Sequence, residues 1–245
     1  MEQKNTPFHA IEPQRMYQQI ANQIAALIHE GQFKPGERLP PERDLAKDFG
    51  VSRNVVREAM VALELAGLIE VRIGAGTFVQ SSGSGSFRFA PMGNSDIGPG
   101  PFELLAARRI VEGEVAYLAA TVATDDEIAG IRESLERMER EPSPYRIYRN
   151  WDRIFHIRIA AATHNTVFVN LVDTMWKAML DPMFETLSQY ARLPEQQRMT
   201  LQDHLTIMSC LETRDAEGAR DAIREHLSHV EDILSQADEL ASAGK

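Results

Sequence analysis

The spacing of apolar residues changes twice along the first third of the chain. From Met16, the positions Tyr17, Ile20, Ile24, Leu27 and Ile28 recur at three and four residues, which predicts an amphipathic helix stopped by Gly31. Pro41 suits a first helical position, so a second, short helix is expected from there to Phe49, with Gly50 just past its last turn. A third follows almost at once, from Arg53 to Ala66, with Ser52 placed to cap it. On its wheel Val56, Ala59, Met60 and Leu63 fall on one arc, while Arg53, Asn54, Arg57 and Val61 share a neighbouring arc. After Gly67 the period drops to two: Leu68 to Ile73 alternates, Gly74-Ala75-Gly76 turns, and Thr77-Phe78-Val79 returns. Helix, tight turn, helix and hairpin in that order predict a winged helix-turn-helix.

Every segment from Pro101 onward has helical spacing. Pro101 opens a run to about Val122, and Thr124 to Glu127 form a capping box that starts a helix ending near Arg140. Ser143-Pro144 caps the next, which sends Tyr148, Trp151, Ile154, Phe155 and Ile159 to one side and runs to Thr163 before His164-Asn165 interrupts it. A further helix begins near Thr166 and is bent or broken at Pro182. The last two, from about Pro194 to Leu211 and from an Asp215 cap to about Leu240, are joined by a short turn. Between the two patterns, Ser81 to Gly100 is dense in Gly, Ser and Pro, the composition of a connector. The expected organisation is a loose arm over 1–14, a winged domain over 15–80, a linker over 81–100 and an all-α bundle over 101–241. The fold class is therefore mostly α, with one small hairpin.

Charge changes this picture by its distribution. The net charge is −10, yet residues 1–80 hold 9 Lys and Arg against 10 Asp and Glu, so the acidity belongs to the second half. A near-neutral winged domain binds DNA weakly by itself, which points to a homodimer on a two-fold symmetric operator. The single cysteine, Cys210, has no internal disulfide partner. No stretch reaches the ~20 apolar residues that span a bilayer, and no secretory segment opens the chain, so no membrane partner and a cytoplasmic location are expected.

Two groups of residues carry candidate chemistry. The first is the cationic opening turn of the third helix, because a helix fits the major groove and an arginine at its start can reach guanine O6 and N7. The second is polar and lies in the bundle. Asp152 and His156 are four apart and share a helix face. With a turn near Arg214, His204 lies 10 residues before it and His226 12 after it. At ~1.5 Å per residue the two imidazoles come level across an antiparallel pair. Three imidazoles and one carboxylate suit zinc, manganese or nickel. The same residues would equally serve as hydrogen-bonded core histidines.

The run from Arg38 to Val79, RLPPERDLAKDFGVSRNVVREAMVALELAGLIEVRIGAGTFV, resembles the winged-helix domain of the GntR transcription regulators. That resemblance implies DNA contacts at Arg43, Ser52, Arg53, Asn54, Arg57, Gly74 and Gly76. The segments ELLAARRIVEGEVAYLAA, WDRIFHIRIAAATHN and QDHLTIMSCLETRDAEGARDAIREHL resemble the all-helical FCD effector domain of the FadR-type branch. It implies that Asp152, His156, His204 and His226 ligate a divalent metal, that Arg108 faces the metal cavity, and that Asn165 stands at a conserved family asparagine. A guanidinium there suits a bidentate grip on a carboxylate, so the implied effector is a small hydroxy- or sugar acid. Asn165 is equally readable as a left-handed helix C-cap. Finer similarity, in RMYQQIA, GPFELLAARRIVE and IAAATHNTVFVNLV, is to regulators of hexuronate catabolism. The leading expectation is a dimeric repressor released by a sugar acid. The alternatives are a metal-dependent enzyme acting on a small acid, weakened because Glu225 and Asp203, adjoining His226 and His204, point away and leave no extra general base, and a regulator whose histidines are only structural.

Overall fold

The computed structural model describes residues 14–72, 74–80, 98–139 and 145–236, with side chains from 149 in the last segment. The arm up to residue 13, most of the connector, the Ser143-Pro144 cap, the Tyr148 side chain and the chain beyond Gln236 lie outside the described residues. The chain divides into two compact units, one of residues 1–71 and 77–98, the other of residues 72–76 and 99–245.

Before the connector, α1 spans Met16–His29, α2 Glu42–Phe49 and α3 Arg53–Leu65, followed by β1 Ile69–Arg72 and β2 Gly76–Val79. The period-three-and-four residues of α1 bury Tyr17, Ile20 and Ile24 against α3, whose Val56, Ala59, Met60 and Leu63 are all at most 2% exposed. Pro41 caps α2 rather than occupying its first turn, and Gly50 ends it in the left-handed conformation at φ 68°. Ser52 accepts a hydrogen bond from the Val55 amide at 3.4 Å, as its position requires. The two strands form the wing, with Gly74 at φ 77° and Gly76 at φ 111° making its turn. The hairpin gains a third partner the apolar pattern hides: Leu39 donates to the Thr77 carbonyl and Val79 to the Glu37 carbonyl, both at 2.9 Å. An isolated bridge thereby joins Arg38 to Phe78.

The second unit contains α4 Pro101–Val122, α5 Asp125–Glu139, α6 Tyr145–Ala161, α7 Thr166–Ala178, α8 Pro182–Tyr190, α9 Gln197–Glu212 and α10 Ala216–Ser235. The helix expected from Pro194 begins later, because Leu193–Gln196 close a tight 3-10 turn first. Helices α4 and α10 share the most extensive interface, and α9 packs along α10 as its hairpin partner. Gly113 permits the α4–α10 approach: a Cβ there would stand 3.1 Å from Arg224 Nε. The α9–α10 turn places Arg214 at φ 59°, and its side chain is secured by Asp125 at 2.7 Å. This hairpin brings two buried histidines to the same height.

Candidate functional site

Arg149, Asp152 and His156 follow one another at three and four residues on α6, so they form a single stripe along the helix. Below the stripe Phe155 is fully buried, with its ring edge on His204 at 5.0 Å between centroids. His204 comes from α9 and His226 from α10, their ring centroids 4.4 Å apart. Asp152, His156, His204 and His226 each offer one ligand atom, and these four atoms lie within 4.8 Å of one another. The three imidazoles are 0–3% exposed. A tetrad spread over three helices is thereby gathered at one buried point.

The polar atoms facing that point are not satisfied by each other. His204 Nε2 lies 3.1 Å and His156 Nε2 3.4 Å from Asp152 Oδ1. Those separations lack hydrogen-bond alignment, and all three atoms, together with His204 Nδ1, have no hydrogen-bond partner among the described residues. Unsatisfied buried nitrogen and carboxylate lone pairs aimed at a common centre cost several kcal/mol unless something accepts them. One carboxylate and three imidazoles at this spacing fit a divalent transition ion, with Asp152, His156, His204 and His226 as its ligands. Such an ion supplies a Lewis-acidic centre for an oxygen of a small molecule.

Partners behind the tetrad fix which nitrogen faces inward. His156 Nδ1 lies 2.5 Å from Glu112 Oε2, which leaves Nε2 for the centre. His226 Nδ1 is held by Asp203 at 3.3 Å, and Asp203 also binds His229 Nδ1 at 3.1 Å. Asp203 therefore acts across the helix pair on His226, rather than standing idle beside its neighbour His204. On α4, Arg108 and Glu112 are four apart and bonded Nε to Oε1 at 2.6 Å. Burial works against the Glu112 carboxylate, but Arg108 and His156 outweigh it and hold the pKa down at about 2. Asp152 is likewise kept well below the carboxylate range by the imidazoles, chiefly His204, against the cost of its burial. His156 is raised above 6.5 because Glu112 and Asp152 overcome its desolvation. Burial and the neighbouring His204 push His226 down to about 4 despite Asp203.

A small cavity, open to solvent at its mouth, lies beside the tetrad. Its wall includes Asp152, Arg108, Arg149, Trp176, Gln197 and Thr200. Arg108, expected to face this space, does line it, but its guanidinium is 2% exposed and already engaged. It lies over the Trp176 ring at 4.2 Å and donates to Glu112 and to Met179 Sδ. Asn165 does not line the cavity: it is exposed, and its side chain accepts from the Val167 amide at 3.0 Å as the N-cap of α7. The left-handed residue is its neighbour His164, at φ 57°. Arg149, Glu112 and Asp203 were missed in the sequence as site residues. A signal existed for the first two, since Arg149 is in phase with Asp152 and His156, and Glu112 is one turn from Arg108.

In the winged unit Arg43 and Arg53 are exposed at the openings of α2 and α3, and Asn54 is half-buried beside Arg53. Arg57 corrects the helical wheel. It is 3% exposed and pairs with Glu42 through Nη2 at 3.1 Å and Nε at 3.2 Å, which ties α3 to α2. Val61, on the same arc, is 1% exposed. The helix is covered on two sides, by α1 and by α2, so its buried arc is wider than one apolar stripe.

Comparison with known proteins agrees with this division. Residues 16–79 match the family model described as "Bacterial regulatory proteins, gntR family", and residues 103–229 match the FCD domain. The chain is 38% identical to the "Uxu operon transcriptional regulator" of Escherichia coli K12, an alignment that covers 92% of this chain and 89% of that one. It is 34% identical to the "Uxu operon regulator" of Haemophilus influenzae, over 88% of this chain and 80% of that protein. Identity to the "Exu regulon transcriptional regulator" of Escherichia coli K12 is also 34%, over 91% and 86%.

Proposed function

This chain belongs to the GntR family of bacterial regulatory proteins, in the branch that carries an FCD domain, and from that premise we propose a metal-dependent repressor of hexuronate catabolism that a sugar acid releases from DNA. It is a DNA-binding transcription regulator; the effector, the metal and the direction of control are the proposal. The observation that carries the proposal is the convergence of Asp152, His156, His204 and His226 within 4.8 Å beside a cavity whose half-apolar lining also carries Arg108, Arg149, Gln197 and Thr200. Those four polar side chains suit the carboxylate and hydroxyls of a small acid, with apolar residues covering the rest of it. The resemblance of RMYQQIA, GPFELLAARRIVE and IAAATHNTVFVNLV to hexuronate regulators supplies the sugar-acid class.

The DNA surface consists of Arg43, Ser52, Arg53, Asn54 and the wing glycines Gly74 and Gly76, in the domain 15–80. The opening turn of α3 enters the major groove, where Arg53 reads a base edge, Arg43 holds phosphate and the wing follows the backbone. One such head neutralises few phosphates, so two copies of the chain bind a two-fold symmetric operator in the cytoplasm. The domain 101–241 carries the effector site and joins the copies.

Native mass spectrometry of protein purified without chelator tests the site. A single zinc, manganese or nickel ion per chain, lost from a protein carrying His204→Ala and His226→Ala together, supports the proposal. A chain that takes up none of these ions at saturating concentration removes it.

A further inference from the structure

We propose that Arg149 is the carboxylate clamp of the effector site, with the hydroxyl end of the acid directed toward Asp152 and the three histidines. This deepens the sensor reading and rests on it. Among the described residues Arg108 and Arg149 are the guanidiniums that line the cavity, and they differ in the burial of the carboxylate each one pairs with.

Arg108 is the committed one. Its carboxylate partner Glu112 is 4% exposed and simultaneously orients His156 at 2.5 Å, while Trp176 covers one face of the guanidinium. A ligand that took Arg108 from Glu112 would leave a buried carboxylate without its cation and loosen a histidine of the tetrad. Breaking a buried pair from one side is among the costlier changes a protein interior can undergo. Arg108 is therefore a fixed part of the wall.

Arg149 is held differently. Its side chain is 11% exposed and its carboxylate partner Glu185, bonded at 3.0 Å, is 47% exposed. Glu185, half-exposed, regains hydration when it is displaced, which the buried Glu112 cannot do. The guanidinium itself stays aimed, because Nη2 donates to the Met179 carbonyl at 2.7 Å and the group lies over the Phe184 ring at 5.0 Å. An aimed cation with an exchangeable counterion is what a carboxylate ligand needs: Glu185 occupies the clamp in the free protein, and the acid replaces it. Arg149 also precedes Asp152 by three residues, about 4.5 Å along α6. A single small molecule thus reaches both the clamp and the tetrad. Gln197 and Thr200 stand on the same wall, suited to the hydroxyls between the two ends.

The test compares D-glucuronate with its neutral analogue D-glucuronamide by isothermal titration calorimetry, at matched zinc loading. In wild type the acid binds more tightly than the amide. Arg149→Gln is expected to weaken the acid about 10- to 100-fold and to erase its advantage over the amide. Glu185→Gln, a change at a half-exposed position, is expected to tighten the acid several-fold by removing its competitor. The Glu185 result is independent of whether the arginine variant folds, and a merely structural ion pair would not produce it. An acid preference that survives Arg149→Gln, or uronate binding that Glu185→Gln leaves alone or weakens, overturns the clamp while the sensor reading stands. Wild type that binds neither compound, nor D-galacturonate, overturns that reading and the clamp with it.

Discussion

Glu112 Oε2 stands 2.5 Å from His156 Nδ1, and Glu112 Oε1 stands 2.6 Å from Arg108 Nε, so one buried carboxylate joins the wall of the cavity to a histidine of the tetrad. The bond decides which imidazole nitrogen faces Asp152. Glu112→Gln keeps the shape of the side chain but removes its charge, and it is expected to weaken zinc binding about 10- to 100-fold. A competition titration against a chromophoric chelator measures this. Unchanged affinity would show that His156 is oriented without Glu112.

Metal uptake should release a proton, and the histidine that loses it can be named. In the metal-free protein His226 is depressed to about 4 and is already neutral at pH 6.5. His156 is raised above 6.5, so it still carries a proton there and must lose it to offer a lone pair. Apparent zinc affinity therefore climbs with pH until the raised pKa of His156 is passed. Calorimetry at pH 6.5 in buffers of different ionisation enthalpy reads the proton directly, and Glu112→Gln should reduce the release. A binding enthalpy independent of buffer contradicts the assignment.

The tetrad links α6, α9 and α10, so an ion bound only by the folded chain stabilises it by mass action. At a free concentration 100 times the dissociation constant this amounts to about 2.7 kcal/mol. Zinc should raise the melting temperature of wild type and leave His204→Ala nearly unmoved. Equal shifts in the two proteins would place the ion elsewhere.

Arg57→Ala should act through the fold of the reading head. With Arg57 gone, Glu42 loses the partner that ties α2 to α3, and a loss of about 1–3 kcal/mol is expected. Arg53→Ala, at an exposed position, should leave the folding stability within about 0.5 kcal/mol of wild type yet weaken operator binding by about 1–3 kcal/mol. Circular dichroism melts and an anisotropy titration separate the two effects. A stable Arg57→Ala protein with lost operator affinity would return Arg57 to the DNA surface.

Much of the architecture was legible because its signals are local. Caps and stops at Ser52, Gly50, Pro101 and Asp215 act within one turn of chain, and the level of His204 and His226 follows from helix rise about a turn at Arg214. What the chain hides is set by packing between distant segments. The burial of Arg57 depends on Glu42, the alignment of His226 on Asp203, and the pairing of Leu39 with Thr77 on a return of the chain. Asn165 misled for the opposite reason: an asparagine after a helix is a good cap for the next one, and its local role was sufficient to explain it.

A sugar acid sensed at the tetrad is expected to lower affinity for DNA. A ligand shifts that equilibrium only by its differential affinity for the free and DNA-bound forms. The direct measurement is fluorescence anisotropy of a labelled operator titrated with zinc-loaded and zinc-stripped protein, each with and without D-glucuronate, D-galacturonate or their keto-acid isomers. At least one of these acids should weaken operator binding by the loaded protein by about 5- to 150-fold and leave the stripped protein unchanged. Operator affinity that is the same with and without every acid in the loaded protein, or that changes equally in the stripped protein, rules out the metal-bearing tetrad as the sensor.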